Sequence, residues 1–299
     1  MKIFFVSFFC AIVFCSPYVV NAATDRADDK DAVNTTTPED RQARQPNLKE
    51  AQSYYDRGVA KGNKGDIDGA IADFTRVLEL NPKTSRTYYN RGFAKWTKGD
   101  LDGAIADYNR AIELNPKDAK SWNNRGLTRR AKHDLDGALA DFDRAAELDP
   151  KSAEIYNNRG LTKWNRKDID GAIADYDRAL ELNPKNASAY ANRGLAKGDK
   201  EDFDAAIADF SCAIELNPRG VDSYYNRGLA KGEKGNFDGA IVDLTRVIEL
   251  DPKNARAYSG RSMAKRKKGD SKGAAMDYKR AIALDPKLAN PSSDDGKNQ

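Results

Sequence analysis

Between residues 51 and 288, apolar residues fall at helical spacing in two successive stretches of every 34 positions. In the first stretch an aromatic residue stands at Tyr54, Tyr88, Trp122, Tyr156, Tyr190, Tyr224 and Tyr258. Four positions on come Gly58, Gly92, Gly126, Gly160, Gly194, Gly228 and Ser262. That spacing places both on one helical face. In the second stretch Ala70, Ala104, Ala138, Ala172, Ala206, Ala240 and Ala274 precede Phe74, Tyr108, Phe142, Tyr176, Phe210, Leu244 and Tyr278 by four. Small residues opposite large ones let helices interlock. The pattern predicts seven antiparallel helical hairpins: 51–84, 85–118, 119–152, 153–186, 187–220, 221–254 and 255–288.

Punctuation agrees with this division. Pro82, Pro116, Pro150, Pro184, Pro218, Pro252 and Pro286 drive the residue before them out of helical geometry and end each second helix. Two positions later Thr84, Asp118, Ser152, Asn186 and Asn254 can cap the next helix, while Gly220 and Leu288 break the rule. Pairs such as Gly65-Asp66, Gly99-Asp100 and Gly235-Asn236 supply a turn residue and then a cap between the helices of a hairpin.

Aromatic, glycine, alanine, aromatic and proline at these intervals resemble the tetratricopeptide repeat, and the match covers residues 51–288. The resemblance implies an all-α fold, an α-α superhelix in which antiparallel hairpins stack into a right-handed solenoid. Two departures stand out. Arg57, Arg91, Arg125, Arg159, Arg193, Arg227 and Arg261 occupy the slot where the family packs leucine. Lys61, Lys95, Arg129, Lys163, Lys197, Lys231 and Lys265 fill an aromatic slot. Two arrangements would accommodate the arginines. In one they cross the hairpin to Asp73, Asp107, Asp141, Asp175, Asp209, Asp243 and Asp277. In the other those aspartates pair along the helix with the residue three further on, such as Arg76 or Arg110.

The ends differ from the repeats. Residues 1–22 carry one charge, Lys2, then an apolar run and Val20-Asn21-Ala22, the pattern of a secretory signal peptide; an uncleaved anchor is the competing reading. No small residue precedes Cys10 or Cys15, so lipid attachment is not expected. Residues 23–50 read as a flexible polar leader and 289–299 as a polar, disordered tail. The expected product is exported, periplasmic in a bacterium and otherwise extracellular or luminal, without stable membrane insertion once the signal is cut.

Composition narrows the chemistry. Hydrophobic residues make up 39%, which suits a thin repeated core. Lys plus Arg number 50 against 46 Asp plus Glu, spread without basic blocks, so no nucleic-acid partner is expected. His133 is the single histidine and stands at a turn, so a catalytic triad or histidine metal site is excluded. Asp66-Ile67-Asp68-Gly69 lacks the further ligands of a calcium loop and reads as helix capping. Cys212 replaces an arginine of the other repeats and would be the lone thiol after cleavage. The carboxylates form no singular constellation, so neither an enzyme nor a cofactor is expected.

By the resemblance, the first helices line a concave groove faced by Asn90, Asn124, Asn158, Asn192 and Asn226. An amide ladder there can read peptide backbone broadly. Beside it stand Phe93, Leu127, Leu161, Leu195 and Leu229, with Trp96, Arg130 and Trp164 one turn along, able to grip apolar side chains or a cation. In the plainer alternative the leucines pack between hairpins and the asparagines are polar surface. The family's clamp for a C-terminal carboxylate is not expected, because Tyr89, Asn123, Asn157 and Ala191 occupy the position before the asparagine. The sequence thus points to a non-catalytic scaffold that binds protein or peptide partners. A carbohydrate or small-ligand module with Trp96 and Trp164 stacking on sugar rings is the alternative. The last hairpin carries no further capping helix, which leaves self-association open.

Overall fold

The computed structural model describes residues 38–289, with side chains from residue 47. The expected signal peptide, residues 23–37 of the leader and residues 290–299 of the tail lie outside the described residues. Contacts divide the chain into two compact units, one up to Thr162 and one from Lys163.

The first unit holds α1 (Pro38–Asn63), α2 (Ile67–Leu80), α3 (Ser85–Lys98), α4 (Leu101–Leu114), α5 (Ala119–Ala131), α6 (Leu135–Leu148) and most of α7 (Ala153–Asn165). The second holds the end of α7, then α8 (Ile169–Leu182), α9 (Ala187–Asp199), α10 (Phe203–Leu216), α11 (Val221–Glu233), α12 (Phe237–Leu250), α13 (Ala255–Lys268) and α14 (Ser271–Leu284), with a 3-10 turn at Pro286–Ala289. Among the described residues every regular element is helical. In the first unit α1 pairs with α2, α3 with α4 and α5 with α6; in the second α9 pairs with α10, α11 with α12 and α13 with α14. Each hairpin within a unit stacks on the next, as α2 does on α3 and α10 on α11.

The rings of the second helices form the core: Phe74, Phe142 and Phe210 are fully buried, as are Tyr108, Tyr176 and Leu244. The repeated glycine makes room for them, since a methyl group on Gly126 would lie 3.0 Å from the Phe142 ring. In the last hairpin Ser262 takes that place, its hydroxyl donating to the Ala274 carbonyl at 2.7 Å, and the Tyr278 ring is only half-buried.

Caps follow the sequence at most of the expected positions. Asp66, Asp100, Asp134, Asp168, Asp202, Asn236 and Asp270 each accept from the backbone N–H three residues on. Asp118, Asn186 and Asn254 cap the first helices in the same way. Thr84 does not: its hydroxyl donates back to the Asn81 carbonyl at 3.1 Å and leaves the start of α3 without a side-chain cap. The turn position after the first helix is left-handed not only at Gly65, Gly99, Gly235 and Gly269 but also at His133, Lys167 and Glu201.

The leader is shorter than expected. α1 starts at Pro38, so residues 38–50 continue the first repeat's helix upstream instead of forming flexible chain. Proline at the first helical position, acids just after it and a run rich in Arg, Gln and Glu suit a helix start, and the helix continues through Pro46 despite the hydrogen bond lost there.

Candidate functional site

The arginines cross the hairpins. Arg57, Arg91, Arg125, Arg193, Arg227 and Arg261 each fork onto the aspartate sixteen residues on, with Nε and Nη2 at 2.6–2.9 Å from its two oxygens. The lysine or arginine four residues later closes on the same carboxylate, as Lys95 does on Asp107 at 2.8 Å. The alternative pairing along the helix does not form, because Arg76 and Arg110 turn to Glu79 and Glu113 instead. Hydrogen bonds from Arg57, and then from Lys61, hold the Asp73 carboxyl below the usual carboxylate range. At Asp277 the upward push of burial is outweighed by Arg261 and Lys265.

The same arginines also join successive hairpins. Nη1 reaches back sixteen residues, from Arg91 to Thr75 at 3.1 Å, from Arg125 to Asn109 at 2.7 Å and from Arg227 to Ser211 at 3.0 Å. Across the turns Lys98 pairs with Asp68, Lys132 with Asp102 and Lys268 with Asp238. These bonds between repeats escaped the sequence reading. A polar residue recurring at the position of Thr75, Asn109 and Thr245 was their signal.

The asparagines are placed otherwise than an open ladder. Asn90 is buried and its amide donates to the Tyr55 hydroxyl at 2.5 Å. Asn124 donates to the Tyr89 hydroxyl at 3.0 Å, and Asn158 to Asn123 Oδ1 at 3.1 Å. Each thus reaches back thirty-five residues and ties first helix to first helix within the unit. Burial pushes the Tyr89 hydroxyl up to about 12 despite that bond. In the second unit Asn192 is buried on α9. Asn226 is half-buried on α11, and the residue thirty-five before it, Ala191, has no polar side chain to meet.

The apolar candidates remain partly open. On α3 the Phe93 and Trp96 rings stack with centroids 5.9 Å apart and planes 26° apart, both half-buried. Leu127 and Arg130 follow on α5, with Arg130 Nη1 donating to the Asn158 carbonyl at 3.4 Å, and Leu161 lies half-buried on α7. A shallow pocket of about 110 Å³ opens beside Lys120, Asn123, Glu154 and Ile155. In the second unit Leu195 is half-buried and Leu229 is buried. Trp164 packs against Ala172, Tyr176 and Ala196, and its N–H donates to Asp199 at 2.7 Å. Cys212 is half-buried on α10. Among the described residues no cluster of three or more His, Cys, Asp or Glu could hold a metal, and no helix is long and apolar enough to cross a membrane.

Sequence profiles described as TPR repeat match residues 96–132 and 127–166, and those described as tetratricopeptide repeat match 51–84, 153–186, 187–219, 221–254 and 255–288. An uncharacterised protein of Methanocaldococcus jannaschii is 50% identical over 36 residues, 12% of this chain. The chain spans 42% of that relative's length. Among solved structures, MamA is similar at 30% identity and a TM-score of 0.52 over 55% of this chain and 96% of its own. A tetratricopeptide repeat protein from Parabacteroides merdae matches at 21% identity and a TM-score of 0.63 over 81% of this chain and 96% of its own. YrrB, described as a TPR protein with an unusual peptide-binding site, is 24% identical with a TM-score of 0.52 over 62% of this chain and 95% of its own.

Proposed function

The chain belongs to the tetratricopeptide repeat family, and from that premise we propose that it is a non-catalytic scaffold, exported from the cytoplasm, which docks polypeptide partners on the first helices of its repeats. The fold and its relatives support a protein-interaction scaffold. One observation carries the site: the Phe93–Trp96 stack stays partly exposed on α3, with Leu127 and Arg130 on the adjoining helix α5. Aromatic and aliphatic side chains beside a guanidinium match the composition of binding hot spots.

The asparagines take a different part in this reading. Donating to Tyr55, Tyr89 and Asn123, they hold successive first helices in register and so set the spacing of the apolar side chains. A sugar-binding reading needs open indole faces. Trp164 is packed and hydrogen-bonded to Asp199, and Trp96 lies on Phe93, which favours a protein partner.

The test is crosslinking pull-down from the envelope or secreted fraction, with the chain from residue 23 beside a variant carrying Phe93→Ala and Trp96→Ala. A partner captured by the parent and lost by the still-helical variant supports the site. Equal capture by both rejects it. N-terminal sequencing of the exported product, with Ala23 as the expected first residue, tests the compartment.

A further inference from the structure

The α13–α14 hairpin differs from the one before it on the face where a following repeat would stack. In the preceding repeat, Asp238 and Thr245 on α12 receive Lys268 and Arg261 from the following repeat. At the same register on α14 stand Lys272 and Lys279, cations that would repel such donors. Phe237 and Ile241, partly buried in that repeat, are matched by exposed Ser271 and Ala275. The face that accepts a neighbour in the earlier repeats has therefore lost both its acceptors and its apolar bulk.

What replaces them is charge. Residues 255–288 hold ten Lys or Arg against three Asp, a net +7 against +4 for the whole chain. Arg266, Lys267, Lys272, Lys279, Arg280 and Lys287 are all exposed and form no ion pair among the described residues. Met276 sits one helical turn from Lys272 and from Lys279 and Arg280, and is 67% exposed. Val242, at the same register one repeat earlier, is also 67% exposed.

We propose that this stripe of α14 docks on an anionic lipid surface, with Met276 and Val242 entering the headgroup region and Lys272, Lys279 and Arg280 meeting lipid phosphates. An exposed stripe that alternates cations with an unbranched apolar side chain suits the boundary between headgroups and acyl chains. A nucleic-acid backbone would use the cations but has no place for Met276.

The test is co-sedimentation of the chain from residue 23, which keeps the whole described fold, with vesicles of phosphatidylglycerol and phosphatidylcholine or of phosphatidylcholine alone. Binding to the anionic vesicles that weakens with salt is expected. Each cation removed should lower partitioning about fivefold, so Lys272→Ala with Lys279→Ala and Arg280→Ala should lower it on the order of a hundredfold. Met276→Ser, which leaves charge unchanged, should weaken vesicle binding severalfold and leave heparin retention as it was. No binding to anionic vesicles, equal binding by the triple variant, or retention on heparin or duplex DNA without vesicle binding would overturn the proposal.

Discussion

Arg125 closes a fork on Asp141, with Nε 2.9 Å from one carboxylate oxygen and Nη2 2.6 Å from the other, and Asp141 is 1% exposed. Arg129 adds a third bond to Asp141 at 2.9 Å, and the Arg125 guanidinium lies 4.7 Å from the Trp122 ring centre. A buried carboxylate held by two cations occupies the centre of the hairpin, where the family packs leucine and an aromatic.

Removing one member should hurt more than removing all. Asp141→Ala leaves two cations facing a low-dielectric core and should cost about 3 kcal/mol. The joint change Arg125→Leu, Arg129→Tyr and Asp141→Ala should recover most of that loss. Urea unfolding of the single and triple variants, read by circular dichroism, checks both.

Acid should weaken the ladder. The Asp73 carboxyl titrates below its ordinary value because Arg57, then Lys61, hydrogen-bond its charged form. A depressed folded value gives stability that is full above the unfolded value of about 4 and is lost as pH falls through the lower folded one. Melting temperatures should hold steady from neutral pH to about 5 and drop steeply below about 4, and Asp73→Asn should flatten that drop.

Base should destabilise the fold at Tyr89, whose buried hydroxyl would have to carry a charge. Burial, the largest cause, raises the Tyr89 hydroxyl to about 12. A folded value above the unfolded one of about 10 gives stability that is present below pH ~10 and lost between roughly 10 and 12. Tyr89→Phe should remove that component of alkaline unfolding, seen as a shallower loss of ellipticity over this range.

Lys167 occupies a left-handed turn at φ +69° where four other repeats have glycine. Relief of the Cβ crowding should outweigh glycine's greater chain entropy, so Lys167→Gly should stabilise by about 0.5–1 kcal/mol. A rise in thermal midpoint checks it.

Gly126→Ala should do the opposite of what helix propensity suggests. The added methyl would stand 3.0–3.2 Å from three atoms of the fully buried Phe142 ring. Overpacking should cost about 1–2 kcal/mol net of alanine's helical advantage. The same change at Gly65, where nothing lies within 4 Å, tests backbone strain alone, since its φ is +84°.

The repeat register was legible because each Pro and each Ala–aromatic pair is a local signal, and α2 through α14 fall where those signals put them. Whether Asp73 would meet Arg57 or Arg76 was not legible, since both spacings are sterically open; Glu79, by taking Arg76, leaves Asp73 to the cross-hairpin partner. The asparagines read as a surface ladder because their partners lie thirty-five residues back, a distance at which only the packed fold shows contact. The upstream extension of α1 was hidden by polar residues with no apolar face to mark a helix.

Photocrosslinking in the living source cell tests the scaffold claim most directly, with a photoreactive residue placed at Leu127 on the first-helix face or at exposed Ala140 on the second helix of the same hairpin. Adducts of higher mass, identifiable as polypeptides, should form from Leu127 and not from Ala140. Adducts from Ala140 alone, or none from Leu127 while the protein is folded and present, would contradict partner docking on the first helices.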